Sequence, residues 1–309
     1  MNIIKYRNWF FGLSLLVIIP GVIALFTWGL KLGIDFQGGT LWEIKFLDTA
    51  KVKGSINPND VKDFLFQNGA EVAQVSTTGE KSVLTRLKVS DEAKIAELKT
   101  KLADKFGKTE DVRLETVGPV ISKELTQKAM LAVGISILAI VLYITWAFRK
   151  VPKPTSSLAF GICTIVALVH DVIVVVGIFA ILGHFAGIEI DSLFITALLT
   201  VIGFSVHDTI VVFDRIRENL KKHPDQSFEE VVNHSLTQTL GRSLTTSLTV
   251  IFVLLALFLF GGASIKSFVL ALLIGIVSGT FSSIFNASPL LVVWSKTITK
   301  IKNRRSFSK

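Results

Sequence analysis

The sequence predicts a multi-pass α-helical membrane protein, six transmembrane helices with one ferredoxin-like α+β domain outside the membrane, and three observations carry that prediction. Half of the 309 residues are hydrophobic and only 18% are charged, whereas soluble domains have about a quarter of their residues charged. The mean hydropathy is +0.58. Six apolar stretches, roughly 9–29, 129–148, 157–182, 190–213, 238–260 and 267–294, reach the about 20 residues that cross about 30 Å of hydrocarbon as a helix. A hydrophilic block, 31–128, interrupts them and carries patterns of its own. The chain thus divides into a first membrane helix (1–30), an extracytoplasmic domain (31–128), a five-helix bundle (129–295) and a basic cytoplasmic tail (296–309).

Within the block, TLWEIKFL (40–47) alternates like a strand. NPND (57–60) opens a helix to about Asn68, with Asn or Asp available as caps. Residues 71–77 and 81–89 predict two strands joined by a turn around Gly79. Residues 90–107 carry helix signals throughout: Ser90 as N-cap, acids in the first turn, apolar residues at 95, 98 and 102, and Gly107 past the end. A last strand spans 109–117. The order is βαββαβ, the split-βαβ pattern. The block contains no His, no Cys and no paired-carboxylate constellation, so it offers no support for an enzyme. A module touching protein or peptide through a sheet edge fits better.

The net charge of +9 raises the question of nucleic acid, and its location answers it. The block holds 16 Lys/Arg against 15 Asp/Glu, a net of +1, which leaves +8 elsewhere. That excess clusters at helix ends: Lys5, Arg7, Arg149, Lys150, Lys153, Arg215, Arg217, Lys221, Lys222 and the tail from Lys296 fall on one side, and the short opposite loops hold Lys266. This is the positive-inside bias. It places both termini in the cytoplasm and the block outside, and it leaves a nucleic-acid role without support. The apolar run to Leu30 is too long for a signal-peptide core and lacks a small-x-small cleavage site, which reads as a retained anchor. Cys163 is the sole cysteine and lies in an apolar helix, so neither a disulfide nor a thiol metal site is argued, and no cofactor is expected.

Polar residues inside the apolar runs carry the functional signal. GFSVHDTIVVFDRIREN (203–219) holds His207, Asp208 and Asp214. Asp208 lies six residues before Asp214, about 9 Å inside the cytoplasmic boundary at about 1.5 Å per residue. An intramembrane carboxylate is a functional hypothesis by default. Asp214, beside Arg215 and Arg217, reads as a solvated helix end. Ser205 and Thr209 are candidate donors to Asp208. In the next helix Gln238, Arg242, Thr245, Thr246 and Thr249 recur at three- and four-residue spacing on one face, and Arg242 lies at a similar depth to Asp208. A guanidinium against the carboxylate is expected. A static ion pair is the alternative, but a buried pair is weak evidence for stability. A carboxylate that exchanges a proton for an arginine makes a relay, with Asp171, His207, Thr209 and Thr246 as supporting candidates. His170 and His207 read as hydrogen-bonded structural histidines, and because neighbours on a helix point to different faces, His-Asp pairs predict no metal site. In GIVSGTFSSIFNASPL (275–290), Gly275 and Gly279 form a GxxxG, with Ser278, Ser282 and Ser283 nearby, which predicts a close helix contact within the bundle or with another subunit.

GIDFQGGT (33–40), VGPVISKEL (117–125), GFSVHDTIVVFDRIREN and GTFSSIFNASPL, in this order, resemble the SecD/SecF family of protein-export membrane proteins, part of the RND superfamily. The resemblance covers essentially the whole chain and implies a six-helix RND-type half whose other half is SecD. It implies a non-enzymatic accessory component of the bacterial cytoplasmic membrane, which uses the proton motive force to draw unfolded exported chains outward beside the SecYEG channel and SecA motor. It maps the proton-path aspartate to Asp208 and the arginine of the following helix to Arg242. The family's motif usually has Asn where this chain has His207. Half of a small-solute RND exporter is the second expectation, although such exporters have much larger external loops. A non-conducting membrane scaffold is the third.

Overall fold

A computed structural model describes residues 2–47, 56–79, 81–88, 91–149, 151–152 and 155–306. The chain forms two compact units: Met1–Lys31 with Leu131–Lys309, and Leu32–Met130. The first holds α1 (Arg7–Thr27), α6 (Ser157–Ala186), α7 (Ser192–Lys222), α8 (Phe228–Phe260), α9 (Lys266–Ser282) and α10 (Ser288–Ser306). Helix α5 (Pro119–Ala147) begins in the second unit and continues in the first. Six helical runs among the described residues are long and apolar enough to cross a membrane: Ile4–Thr27, Pro119–Ala147, Ser157–Ala186, Ser192–Lys222, Phe228–Phe260 and Lys266–Ile298. The last passes from α9 through a π-helical turn, Ser283–Ala287, into α10.

Several helix starts are capped as their sequences suggest. Ser156 accepts from Ala159 N at the start of α6, and Asp191 Oδ1 accepts from Phe194 N (2.9 Å) at the start of α7. Ser227 and Glu230 form a reciprocal capping box at α8. Bundle packing relies on small residues. A Cβ at Gly177 of α6 would come within 2.7 Å of Gly21 Cα in α1. One at Gly275 of α9 would strike Val201 Cγ2 of α7 at 2.1 Å, and one at Gly279 would lie 3.0 Å from Ser205 Cβ. In lipid, where apolar helices gain nothing by leaving the solvent, such close backbone approach is what holds them together.

The second unit contains α2 (Ile34–Gln37), β1 (Gly39–Phe46), α3 (Pro58–Gln67), β2 (Val72–Gly79), β3 (Ser82–Leu87), α4 (Glu92–Phe106) and β4 (Thr109–Val117). Its sheet runs β2-β3-β1-β4, all antiparallel, the order the βαββαβ pattern demands. Trp42, Ile44 and Phe46 of β1, Val83 and Leu87 of β3, Val61 and Leu65 of α3, and Leu98 and Leu102 of α4 form one buried core. Each such side chain contributes about 1.5–3 kcal/mol on burial. Asn57 caps α3 through Asn59 N. Ser90 lies outside the described residues, and the N-cap of α4 is Asp91, which accepts from Ala93 N (3.0 Å). Trp42 Nε1 donates to Asp111 Oδ1 (2.9 Å), and Lys99 also reaches Asp111. Arg86 is buried, donates to Leu32 O (3.2 Å), and burial brings its guanidinium down to about 10. Gly39, at φ +113, leaves no space for a side chain: a Cβ there would lie 2.4 Å from Leu87 O.

Candidate functional site

Polar side chains collect where α6, α7, α8 and α9 pack on one another, and they do so around two buried aspartates. Asp171 of α6 is 1% exposed and Asp208 of α7 is 4% exposed. Neither pairs with a Lys or Arg among the described residues.

Asp171 accepts from every side. His170 Nδ1 lies 2.9 Å and Ser278 Oγ 2.8 Å from Oδ1, while Ser205 Oγ at 2.5 Å and Ser282 Oγ at 2.7 Å bond Oδ2. The expectation that His170 and Asp171 point apart therefore fails: the imidazole folds back onto its own neighbour. Ser205 and Thr209 were candidates to serve Asp208, and here the structure differs again. Ser205 donates its hydrogen bond to Asp171, and Thr209 bonds Ser205 O (3.0 Å) and Ser283 Oγ (2.8 Å). The physical reason is competition: the α9 serines beside Gly279 bring Asp171 within reach of Ser205, and an i→i−4 carbonyl takes the Thr209 hydroxyl.

Asp208 is left short of donors. Its Oδ2 is buried without a hydrogen-bond partner among the described residues, and so is Ser243 Oγ of α8, the hydroxyl that faces it. The predicted guanidinium contact is absent. Arg242 is exposed and makes neither an ion pair nor a side-chain hydrogen bond among the described residues. Adjacent residues on a helix diverge by about 100°, so turning Ser243, Thr239 and Ser247 into the bundle turns Arg242 out. Thr245, Thr246 and Thr249 share that outward face with Arg242, whereas the Gln238 amide reaches back to α7, its Oε1 accepting from Arg215 Nε (2.6 Å) and Asn219 Nδ2 (2.9 Å). The Thr246 hydroxyl bonds its own helix at Arg242 O (2.9 Å). His207 is exposed on α7. Asp214 is exposed and pairs with Arg217 (2.6 Å), as a helix end in water should. No group of three or more His, Cys, Asp or Glu capable of holding a metal occurs among the described residues.

Some contacts had no individual signal in the sequence. Ser247 Oγ and Thr280 Oγ1 bond each other at 2.6 Å between α8 and α9, and Ser14 of α1 exchanges hydrogen bonds with Asn286 (2.8 and 3.0 Å). At the helix ends, Glu229 of α8 joins Arg7 and Lys296. Serines and threonines in an apolar run bond either their own carbonyls or a neighbour, and spacing alone does not distinguish the two.

A six-helix bundle with an inserted antiparallel α+β domain and buried carboxylates on its inner helices defines a polytopic membrane protein with an ionisable core. Residues 97–297 match the family "Protein export membrane protein SecD/SecF, C-terminal", and residues 23–46 match its GG motif. The chain belongs to the SecD/SecF family. It is 52% identical over 307 residues to the protein translocase subunit SecF of Thermobaculum terrenum, covering 95% of this chain and 94% of that one. It is 37% identical to the protein translocase subunit SecDF of Bacillus subtilis, covering 93% of this chain and 37% of that longer one. The crystal structure of SecDF from Thermus thermophilus superposes with a TM-score of 0.81 at 33% identity, over 96% of this chain and 39% of that chain.

Proposed function

We propose that this chain is a SecF-type subunit which, together with SecD, uses the proton motive force to assist protein translocation through the SecYEG channel beside the SecA motor. The partner assignment draws support from relatives in which one longer chain bears the name SecDF and this chain accounts for about two-fifths of it. The orientation is that of the charge bias, with both termini in the cytoplasm, residues 31–128 extracytoplasmic and the cytoplasmic membrane as the site of action. The chain itself catalyses no bond change.

The observation that carries the proton-driven part is the carboxylate of Asp208, 4% exposed, whose Oδ2 has no partner in hydrogen-bond geometry among the described residues. A proton placed on Oδ2 converts this acceptor into a donor toward Ser243, whose hydroxyl also has no partner in hydrogen-bond geometry among the described residues. Such a group changes its bonding with protonation, and helix packing follows. Arg242 enters the cycle from the outward face of α8, either against an acceptor on SecD or after a turn of α8 about its axis. An exposed Arg242 in an apolar run is costly to leave in hydrocarbon, which supports a protein neighbour at this position.

The test is reconstitution of the chain with SecD and the channel, with and without an imposed pH gradient. Asp208→Asn and Arg242→Met are expected to insert and assemble normally and to lose the gradient-dependent stimulation of export. Normal stimulation in correctly inserted variants would refute the proton-driven role, and failure to copurify with SecD would refute the partner.

A further inference from the structure

The second buried aspartate is satisfied to the limit of its chemistry. An ionised carboxylate has about four lone-pair sites and no donor. Asp171 meets four donors, His170 and Ser278 on Oδ1 and Ser205 and Ser282 on Oδ2. While it is ionised the carboxylate has no proton to give to His170 Nδ1, so the 2.9 Å contact requires the hydrogen on the ring nitrogen. The imidazole is therefore held as the Nδ1–H donor, and the free lone pair sits on Nε2. That atom is buried without a hydrogen-bond partner among the described residues, on a side chain 10% exposed. His170 lines an apolar groove of about 500 Å³ between α1, α6 and α9, with Leu13, Val17, Val174, Val277 and Phe281.

We infer that His170 Nε2 is a second proton-binding site of the membrane bundle, with Asp171 as the positioning residue that fixes the imidazole tautomer and neutralises the imidazolium. The site deepens the proton-driven function proposed above, and only its link to export rests on that function. Among the described residues, the other charged groups on the helices around this pair lie apart from it. Helix α1 has Arg7 at its start, engaged with Glu229. Helix α5 has Lys123, Glu124 and Lys128 in its first turns, α9 has Lys266 at its start and α10 carries Lys296, Lys300, Lys302, Arg304 and Arg305 in its second half. Helix α7 contributes Asp208, which faces α8, and His207, which is exposed, and its remaining charges, Asp214 to Lys222, lie at its C-terminal end. On α6 itself the remaining titratable groups are Cys163 and His184, two and four turns from the pair. Proton binding takes the His170–Asp171 pair from one negative charge to none. Because Asp171 gathers hydroxyls from α7 and α9, the change is felt in the packing of both helices on α6.

The experiment is magnetic resonance of isotope-labelled histidine ring nitrogens in the full chain in lipid nanodiscs, with His170 assigned by loss of its signals in His170→Gln. The expected result is a neutral imidazole protonated at Nδ1 and bare at Nε2 in alkaline buffer, converting to imidazolium in acid while the protein stays folded. In Asp171→Asn the imidazolium signal is lost over the same pH range. An Nε2–H tautomer, or an imidazole that stays neutral until the protein unfolds, overturns the inference, and the parent protein alone separates these outcomes if the aspartate variant fails to fold. Loss of gradient-driven export in Asp208→Asn is independent of this readout, so either idea can fail without the other.

Discussion

Asp171 and Asp208 lie at 1% and 4% exposure in the same bundle, yet one accepts four hydrogen bonds and the other keeps an oxygen with none. The difference predicts opposite responses to substitution. Asp171→Ala strands the Ser205, Ser278 and Ser282 hydroxyls and the His170 ring nitrogen, and an unsatisfied buried donor costs about 1–3 kcal/mol. Thermal unfolding in detergent is expected to show a loss of several kcal/mol. Asp208→Asn removes a charge that has almost no partners, and the same assay is expected to show a change within about 1 kcal/mol. The candidacy of Asp208 was legible from one carboxylate in an apolar run, and the structure buries that side chain. Its neighbour was not: the choice between Arg242 and Ser243 depends on how α8 is rotated, and beyond Val250 that helix is apolar on all sides, which leaves its own pattern without a preferred inward face.

At the scale of elements, glycines set the closest approaches. Gly275→Val would drive a branched side chain into Val201, and overpacking of this kind costs about 1–3 kcal/mol. The variant is expected to insert but to resist heat and protease less well than the parent. Gly39→Ala combines a φ of +113 with a clash on Leu87 O, and a strained backbone position costs about 1–3 kcal/mol. Loss of sheet signal in circular dichroism of a fragment containing residues 32–130 would reveal it. Helix α4 could be read from its caps and period because one face meets the core, carrying Ile95, Leu98 and Leu102 inward; β4 (Thr109–Val117) was read by its place in the pattern, although its Val112 and Leu114 are exposed. Helix α5 was only half legible. It begins at Pro119 and not near 129, because Lys123, Glu124 and Lys128 occupy turns that precede the apolar stretch, and hydropathy marks only that stretch.

For the whole molecule, the division into two units with separate hydrophobic cores predicts that residues 32–130 fold when expressed without the bundle. Cooperative thermal unfolding with blue-shifted Trp42 emission would show it, and a molten fragment would refute it. The number of spans was legible because about 20 apolar residues is a physical threshold. The arrangement of the spans was not, since in lipid the pairing of helices follows shape at glycines and shared hydroxyls more than apolar content. The π-helical turn at Ser283–Ala287 has a further consequence for that arrangement. It inserts one residue relative to α-helical register, so α10 is phased about 100° away from where α9 alone would set it. Thr209–Ser283, Ser14–Asn286 and the Ser288 hydroxyl on Ser283 O (3.2 Å) surround this widened turn. Like a dislocation in a crystal, such a defect shifts by exchanging one backbone pairing at a time, and each step turns the intervening segment by a fixed angle while the rod on either side stays intact.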